Sequence, residues 1–189
     1  SRGRRLLVVG SSWPEDEAIL LPYFNEEAPE DFALVLAPHE IHEEHLRAIE
    51  AGLKRPSIRL SEYDEAKGLP EGTACIIIDC FGLLSSVYRY GTWAYVGGGF
   101  GKSVHNTLEA AVYGIPVFFG PEIHKHREVR ELVKRSSGFI LHDRAELSQL
   151  LQRFSSEEEC KALEARTRAY FREECGATAA ILGDILPSE

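Results

Sequence analysis

The chain has 189 residues, enough for one domain with a sizeable core and marginal for two. Its formal net charge of −9 argues against a nucleic-acid binder, because such proteins present net basic surfaces. No apolar run approaches membrane-spanning length, no signal peptide is visible, and Cys75, Cys80, Cys160 and Cys175 lack zinc-type or thioredoxin-type spacing, so a reduced cytoplasmic compartment is the simpler reading. The chain opens on Ser1 and contains no Met, as expected of a piece excised from a longer protein.

The run over 5–10 is short and continuously apolar, as in a strand buried on both faces. A turn over 11–15 leads into a helix to about 24, and 32–37 is the second strand, broken by Pro38. A helix over 40–53 follows, then a short strand over 57–60 and a polar loop punctuated by Gly68, Pro70 and Gly72. The most hydrophobic strand is 74–79, followed by a short helix over 83–90 and a fifth strand over 93–96. A glycine loop then opens a helix that runs to Tyr113 and stops at Gly114, as a C-cap does. Strands over 116–119 and 138–141 enclose a helix over 126–135. Helices over 144–154, from Ser156 to about 174, and over 177–186 complete the chain. The Ser156 start carries Glu159 three residues on, the spacing of a capping box.

Alternating strands and helices predict a single Rossmann-like α/β domain over 1–189, a parallel sheet with helices on both faces. Ligands in such sheets bind beyond the carboxyl ends of the strands, near the point where strand order reverses. The loops 11–15, 38–40 and 97–103 fall at those ends, and Asp79 joins the same rim.

The stretch from Tyr95 to Glu109 carries the strongest chemical signal. Gly98, Gly99 and their neighbours let backbone N–H groups approach a ligand closely, and a helix starting just after them adds unpaired donors and partial positive charge. Together these make a phosphate site. A P-loop is excluded because its first glycine would fall at position 96, which is Val. A dinucleotide fingerprint is excluded because the glycines follow the fifth strand and position 102 is Lys. A sugar-nucleotide site remains, with phosphate at the loop and ribose hydroxyls on Glu109. Asn106 and Glu109, three apart, share a helix face and read equally as a capping box with no ligand.

Ser12 and Glu15 read as another capping box, with Pro14 early in the helix and Ser11 free to donate to a phosphate. His39, His42 and His45 recur every three residues, a spacing that drifts round a helix and suits a solvated face better than a metal site. His39 differs, because it follows a strand-ending proline at the rim. Lys125 and Arg127 could meet an anionic group, but a solvated helix start is the simpler reading.

With these motifs in view, the run from Val96 to Pro121 resembles the carboxy-terminal half of bacterial Kdo transferases (Kdo is 3-deoxy-D-manno-octulosonic acid). Gly10-Ser-Ser-Trp-Pro-Glu-Asp-Glu17 is similar to that family's first-strand turn, and Ala37-Pro-His-Glu40 to its Pro-x-His region, with Pro38 and His39 adjacent here. The similarity covers nearly the whole chain. It implies the donor-binding domain of an inverting, metal-independent GT-B glycosyltransferase without cofactor, with an amino-terminal acceptor domain and its general base outside this sequence. It implies CMP-Kdo as donor and a lipid A precursor as acceptor, with the full-length protein at the cytoplasmic face of the bacterial inner membrane. Membrane contact would fall to the full-length protein, and this fragment would be soluble. Gly98, Gly99, Phe100, Lys102 and Asn106 would then serve the phosphate and Glu109 the ribose, with Ser11 or Ser12 and Pro38-His39 bordering the nucleotide. A UDP-sugar transferase or epimerase domain, and a nucleotide-binding module without catalysis, stand as the alternatives.

Overall fold

A computed structural model describes residues 3–174; the helix expected over 177–186 lies outside them. The strands are β1 (Arg5–Ser12), β2 (Phe32–Pro38), β3 (Ser57–Arg59), β4 (Cys75–Ile77), β5 (Trp93–Val96), β6 (Val117–Phe119) and β7 (Gly138–Ile140). They form one parallel sheet in the order β3-β4-β2-β1-β5-β6-β7. The helices are α1 (Pro14–Glu26), α2 (Glu43–Gly52), α3 (Leu84–Val87), α4 (Leu108–Ala111), α5 (Arg127–Lys134), α6 (Arg144–Arg153) and α7 (Glu157–Glu174).

The strands read as unbroken apolar runs because both faces of the sheet are covered. Side chains alternate between two cores, as a period of two requires. Leu7, Val9, Leu34, Leu36, Trp93, Tyr95 and Phe118 enter the core under α1, α2 and α6. Val8, Val35, Ala37, Ala94, Val96, Val117 and Phe119 enter the core on the other face, with Val129 and Leu132 of α5. Cys75 is fully buried in the first of these cores, under α1, α2 and α6, and burial pushes its thiol well above the usual range.

Several boundaries differ from expectation. The first strand runs on to Ser12, and Pro38 is the last residue of β2 rather than the residue after it. The helix expected from 40 begins at Glu43. The helix expected after the glycine loop is four residues long, begins at Leu108, and turns out at Gly114 with φ 72°. Asp79 lies beyond β4, where its carboxylate accepts from Ser61 N–H at 3.0 Å and from the Ser61 hydroxyl. It therefore ties down the turn after β3.

Candidate functional site

β1 pairs with β2 on one side and β5 on the other. From β1 the chain passes through β2 to β3 at the sheet edge, steps back to β4 between them, and then crosses to the opposite side of β1 at β5, so strand order reverses between β1 and β5. The turn after β1 and the loop after β5 flank this switch point at the carboxyl edge.

Asp16 holds the two together. It is 0 % exposed, yet its carboxylate accepts three hydrogen bonds: Tyr95 Oη at 2.6 Å, Gly98 N at 2.9 Å and Trp13 N at 2.9 Å. Burial pushes its pKa above the usual carboxylate range, and the three donors partly offset that. Burial, followed by the Asp16 charge and hydrogen bond, pushes the Tyr95 phenol far up, so it stays a donor. The expected capping box of Ser12 and Glu15 is not formed. Trp13 is the N-cap of α1, and Asp16, three residues on, accepts its N–H. Ser12 is fully buried and its hydroxyl donates to Glu17 at 2.8 Å. Ser11 is half-buried and held in the left-handed region at φ 53°.

The glycines also serve the packing of the loop. A Cβ on Gly97 would lie 2.7 Å from Ser12 Cα and 2.8 Å from Asp16 Oδ2. A Cβ on Gly99 would lie 2.6 Å from Gly120 Cα. Gly98 has φ 92°, which L side chains rarely adopt. The absent side chains thus let the loop press against the turn after β1 and the loop after β6. Gly98, whose N–H Asp16 already takes, also accepts Lys102 N–H at 3.1 Å and Ser103 N–H at 2.8 Å, which curls the loop on itself. Among the described residues, no acceptor meets the N–H groups of Gly99, Phe100, Asn106 and Thr107. Ser103 Oγ and Thr107 Oγ1 are buried with no hydrogen-bond partner among the described residues. The anion-binding potential of this loop therefore rests on individual N–H groups. A four-residue helix carries too few aligned peptides for a substantial dipole.

Above the loop sits a cluster of rings. Trp13 Nε1 donates to His105 Nε2 at 3.1 Å, with the two ring planes 10° apart. His39 stacks on both, its centroid 4.6 Å from Trp13 and 4.4 Å from His105. Lys102 Nζ lies 5.2 Å from the centre of the Trp13 ring. Because His105 Nε2 accepts, its proton sits on Nδ1. Burial, then the nearby His39 and His126, hold His105 below the usual histidine range and so neutral at pH 7.

Asn106 and Glu109 meet, though not as a capping box. Asn106 Nδ2 donates to Glu109 Oε1 at 3.0 Å and its Oδ1 accepts Leu108 N–H at 3.1 Å, while Thr107 occupies the N-cap position. Asn106 is exposed and Glu109 half-buried.

Of the residues expected at the site, Ser11, His39, Gly98, Gly99, Phe100 and Lys102 gather around the switch point. Pro38 is buried, and Lys125 and Arg127 are exposed beside the start of α5. Of the three histidines spaced by three, His42 is exposed, His39 stacks in the ring cluster and His45 pairs with Glu17 at 2.9 Å, which corrects its reading as part of a solvated face. Trp13, Asp16, Glu17 and His105 escaped the sequence reading of the site. The spacing of Trp13 and Asp16 was the available signal, but Trp is an uncommon N-cap and hides it.

No protein-family model matches the chain. The 3-deoxy-D-manno-octulosonic acid transferase of Aquifex aeolicus is 31% identical over 163 residues, which are 84% of this chain and 44% of that protein. The chain spans 30% to 44% of the length of the first curated relatives it matches. Among solved structures, the C-terminal CMP-Kdo binding domain of WaaA from Acinetobacter baumannii superimposes with a TM-score of 0.76 at 20% identity, over 88% of this chain and 89% of that one. WaaG, a glycosyltransferase involved in lipopolysaccharide biosynthesis, matches with a TM-score of 0.57 at 12% identity, over 90% of this chain and 43% of that one. At these identities the likeness shows the fold, a Rossmann-like parallel sheet with helices on both faces.

Proposed function

We propose that this chain, which belongs to the 3-deoxy-D-manno-octulosonic acid transferase family, is the domain that binds the CMP-Kdo donor. The acceptor is a lipid A precursor, and the acceptor-binding parts and the general base lie outside these residues. The observation that carries the reading is the β1/β5 switch point. Support comes from Ser11, His39, Lys102 and the N–H groups of Gly99, Phe100 and Asn106, which meet no acceptor among the described residues, in the loops that follow the strands at the edge where such folds hold nucleotides.

The chemistry follows from the leaving group. CMP departs as an anion, so donors aimed at its phosphate stabilise charge that grows in the transition state. The loop N–H groups and the Lys102 ammonium supply that stabilisation without a metal or cofactor. Glu109, with Asn106 holding one of its oxygens, takes ribose hydroxyls on the other. Ser12 and Pro38 shape the crevice through their backbone, since both are buried. In the full-length protein the reaction takes place at the cytoplasmic face of the inner membrane. No helix among the described residues is long and apolar enough to cross a membrane, so membrane contact belongs to the rest of that protein.

Titration of the chain with CMP, UDP and ADP tests the reading. A clear preference for CMP is expected. A preference for UDP would point to a UDP-sugar enzyme, and no nucleotide binding to a module of another kind; either overturns the proposal. The isolated chain is expected to bind donor weakly and to transfer no sugar, and robust Kdo transfer by it would refute the assignment of the base to another domain.

A further inference from the structure

We infer that His45 is a positioning residue of the donor site: through Glu17 and Glu40 it ties the turn after β1 to the turn after β2 and fixes the gap that the nucleotide enters. This rests on the donor reading above.

His45 Nε2 lies 2.9 Å from Glu17 Oε2 and 3.1 Å from Glu17 Oε1, and His45 Nδ1 lies 2.9 Å from the Glu40 carbonyl oxygen. A carbonyl only accepts, so Nδ1 carries a proton. Glu17 Oε1 also accepts from the Ser12 hydroxyl, so the His45 ring and that hydroxyl meet on one carboxyl group. The pair is shielded from water, with side-chain exposures of 14% for His45 and 8% for Glu17.

The links close a circuit. The Ser12 hydroxyl bonds Glu17, Glu17 bonds His45, and His45 bonds the Glu40 carbonyl. Glu40 follows His39, whose N–H returns to the Ser12 carbonyl at 2.9 Å. Ser11 sits directly before this circuit and the His39 ring directly above it, stacked on Trp13 and His105. Two rim loops that share no covalent neighbour are thereby held in one register. A shielded polar pair of this kind adds little net stability over a well-packed apolar pair. The bond to Glu40, which no apolar residue can replace, is where His45 acts on the site.

The test pairs stability with affinity. In E17L/H45L the melting temperature is expected to stay near wild type, CMP affinity to fall about ten-fold or more, and the His39 amide to exchange hydrogen faster than the amides of the central strands. E17Q keeps the shape of the side chain while removing its charge, and is expected to weaken CMP binding in the same direction should the double variant fold poorly. H42A, on the exposed side of the same loop, is expected to bind as wild type. If the wild-type chain binds CMP while E17L/H45L, or E17Q where the double variant is unfolded, binds within about two-fold of it, the inference is overturned and the donor reading stands. A folded wild-type chain with no affinity for CMP overturns both.

Discussion

Asp16 and Glu109 are placed alike in sequence and unlike in space. Each stands three residues after a residue at a rim loop, Trp13 and Asn106, and each follows a strand of the same sheet. Asp16 is fully buried and spends its oxygens on three donors, Trp13 of the turn after β1, Tyr95 of β5 and Gly98 of the loop after it. Glu109 is half-buried and meets one side chain, Asn106. Spacing places a carboxylate near a helix start; burial decides whether it builds the site or is left to bind something in it. Asp16 is structural, with no oxygen free for a ligand, whereas Glu109 keeps one free.

The sharpest break of this comparison is D16A. It strands the Tyr95 hydroxyl and the N–H groups of Trp13 and Gly98 in a dry interior, at an expected cost of about 4 kcal/mol in chemical denaturation. A cost under about 1 kcal/mol would mean that the carboxylate is not the staple between the loops. G97A comes next, at about 3 kcal/mol, because the added methyl meets the backbone of Ser12 and the Asp16 carboxylate rather than a flexible side chain. If a nucleotide approached Gly97 as first expected of these glycines, the substitution would cost affinity and leave stability nearly intact.

E109A is expected to behave the other way round. Stability should change by less than about 1 kcal/mol, while CMP affinity falls about ten-fold if the free oxygen holds ribose. Unchanged affinity measured by calorimetry would reduce Glu109 to a partner of Asn106.

The smallest effect separates the two kinds of carboxylate by pH. Asp16 has a raised pKa in the folded chain, so the fold binds its proton more readily than the unfolded chain, and acidification through the carboxylate range does not remove stability at this position. Glu43 is the opposite case. Hydrogen bonds from Arg59 and then Arg47 lower it from 4.5 to about 2, so its contribution is present above pH 4.5 and is lost as pH falls toward 2. E43Q is therefore expected to flatten the acid limb of a melting-temperature profile slightly, since the pair is solvent-exposed. An unchanged acid limb would place the acid sensitivity elsewhere.

Much of the fold was legible in the sequence. Seven apolar runs became seven strands because a parallel sheet covered on both faces demands continuous hydrophobicity. The rim was legible too, since strand ends are marked by Pro38 and by the glycines. The helix after the glycine loop was not, because the apolar residues from Val104 to Tyr113 suit a long helix but instead pack as an irregular loop around Val104 and Thr107. Ser12 was misread because its spacing to Glu15 is right for a cap, while the extension of β1 carries it into the interior.

The sequence by itself determined the sheet, the order of its elements, and the carboxyl edge as the candidate site, because hydrophobic period and turn chemistry are local properties. Tertiary structure alone decided what each polar residue at that edge is for. Glu17 and His45 lie in neighbouring helices with nothing in their spacing to pair them, yet the pairing of β1 with both β2 and β5 brings three loops together there. Once those loops exclude water, each buried charge must find its partners. The choice of partner, rather than the residue type, separates scaffold from site.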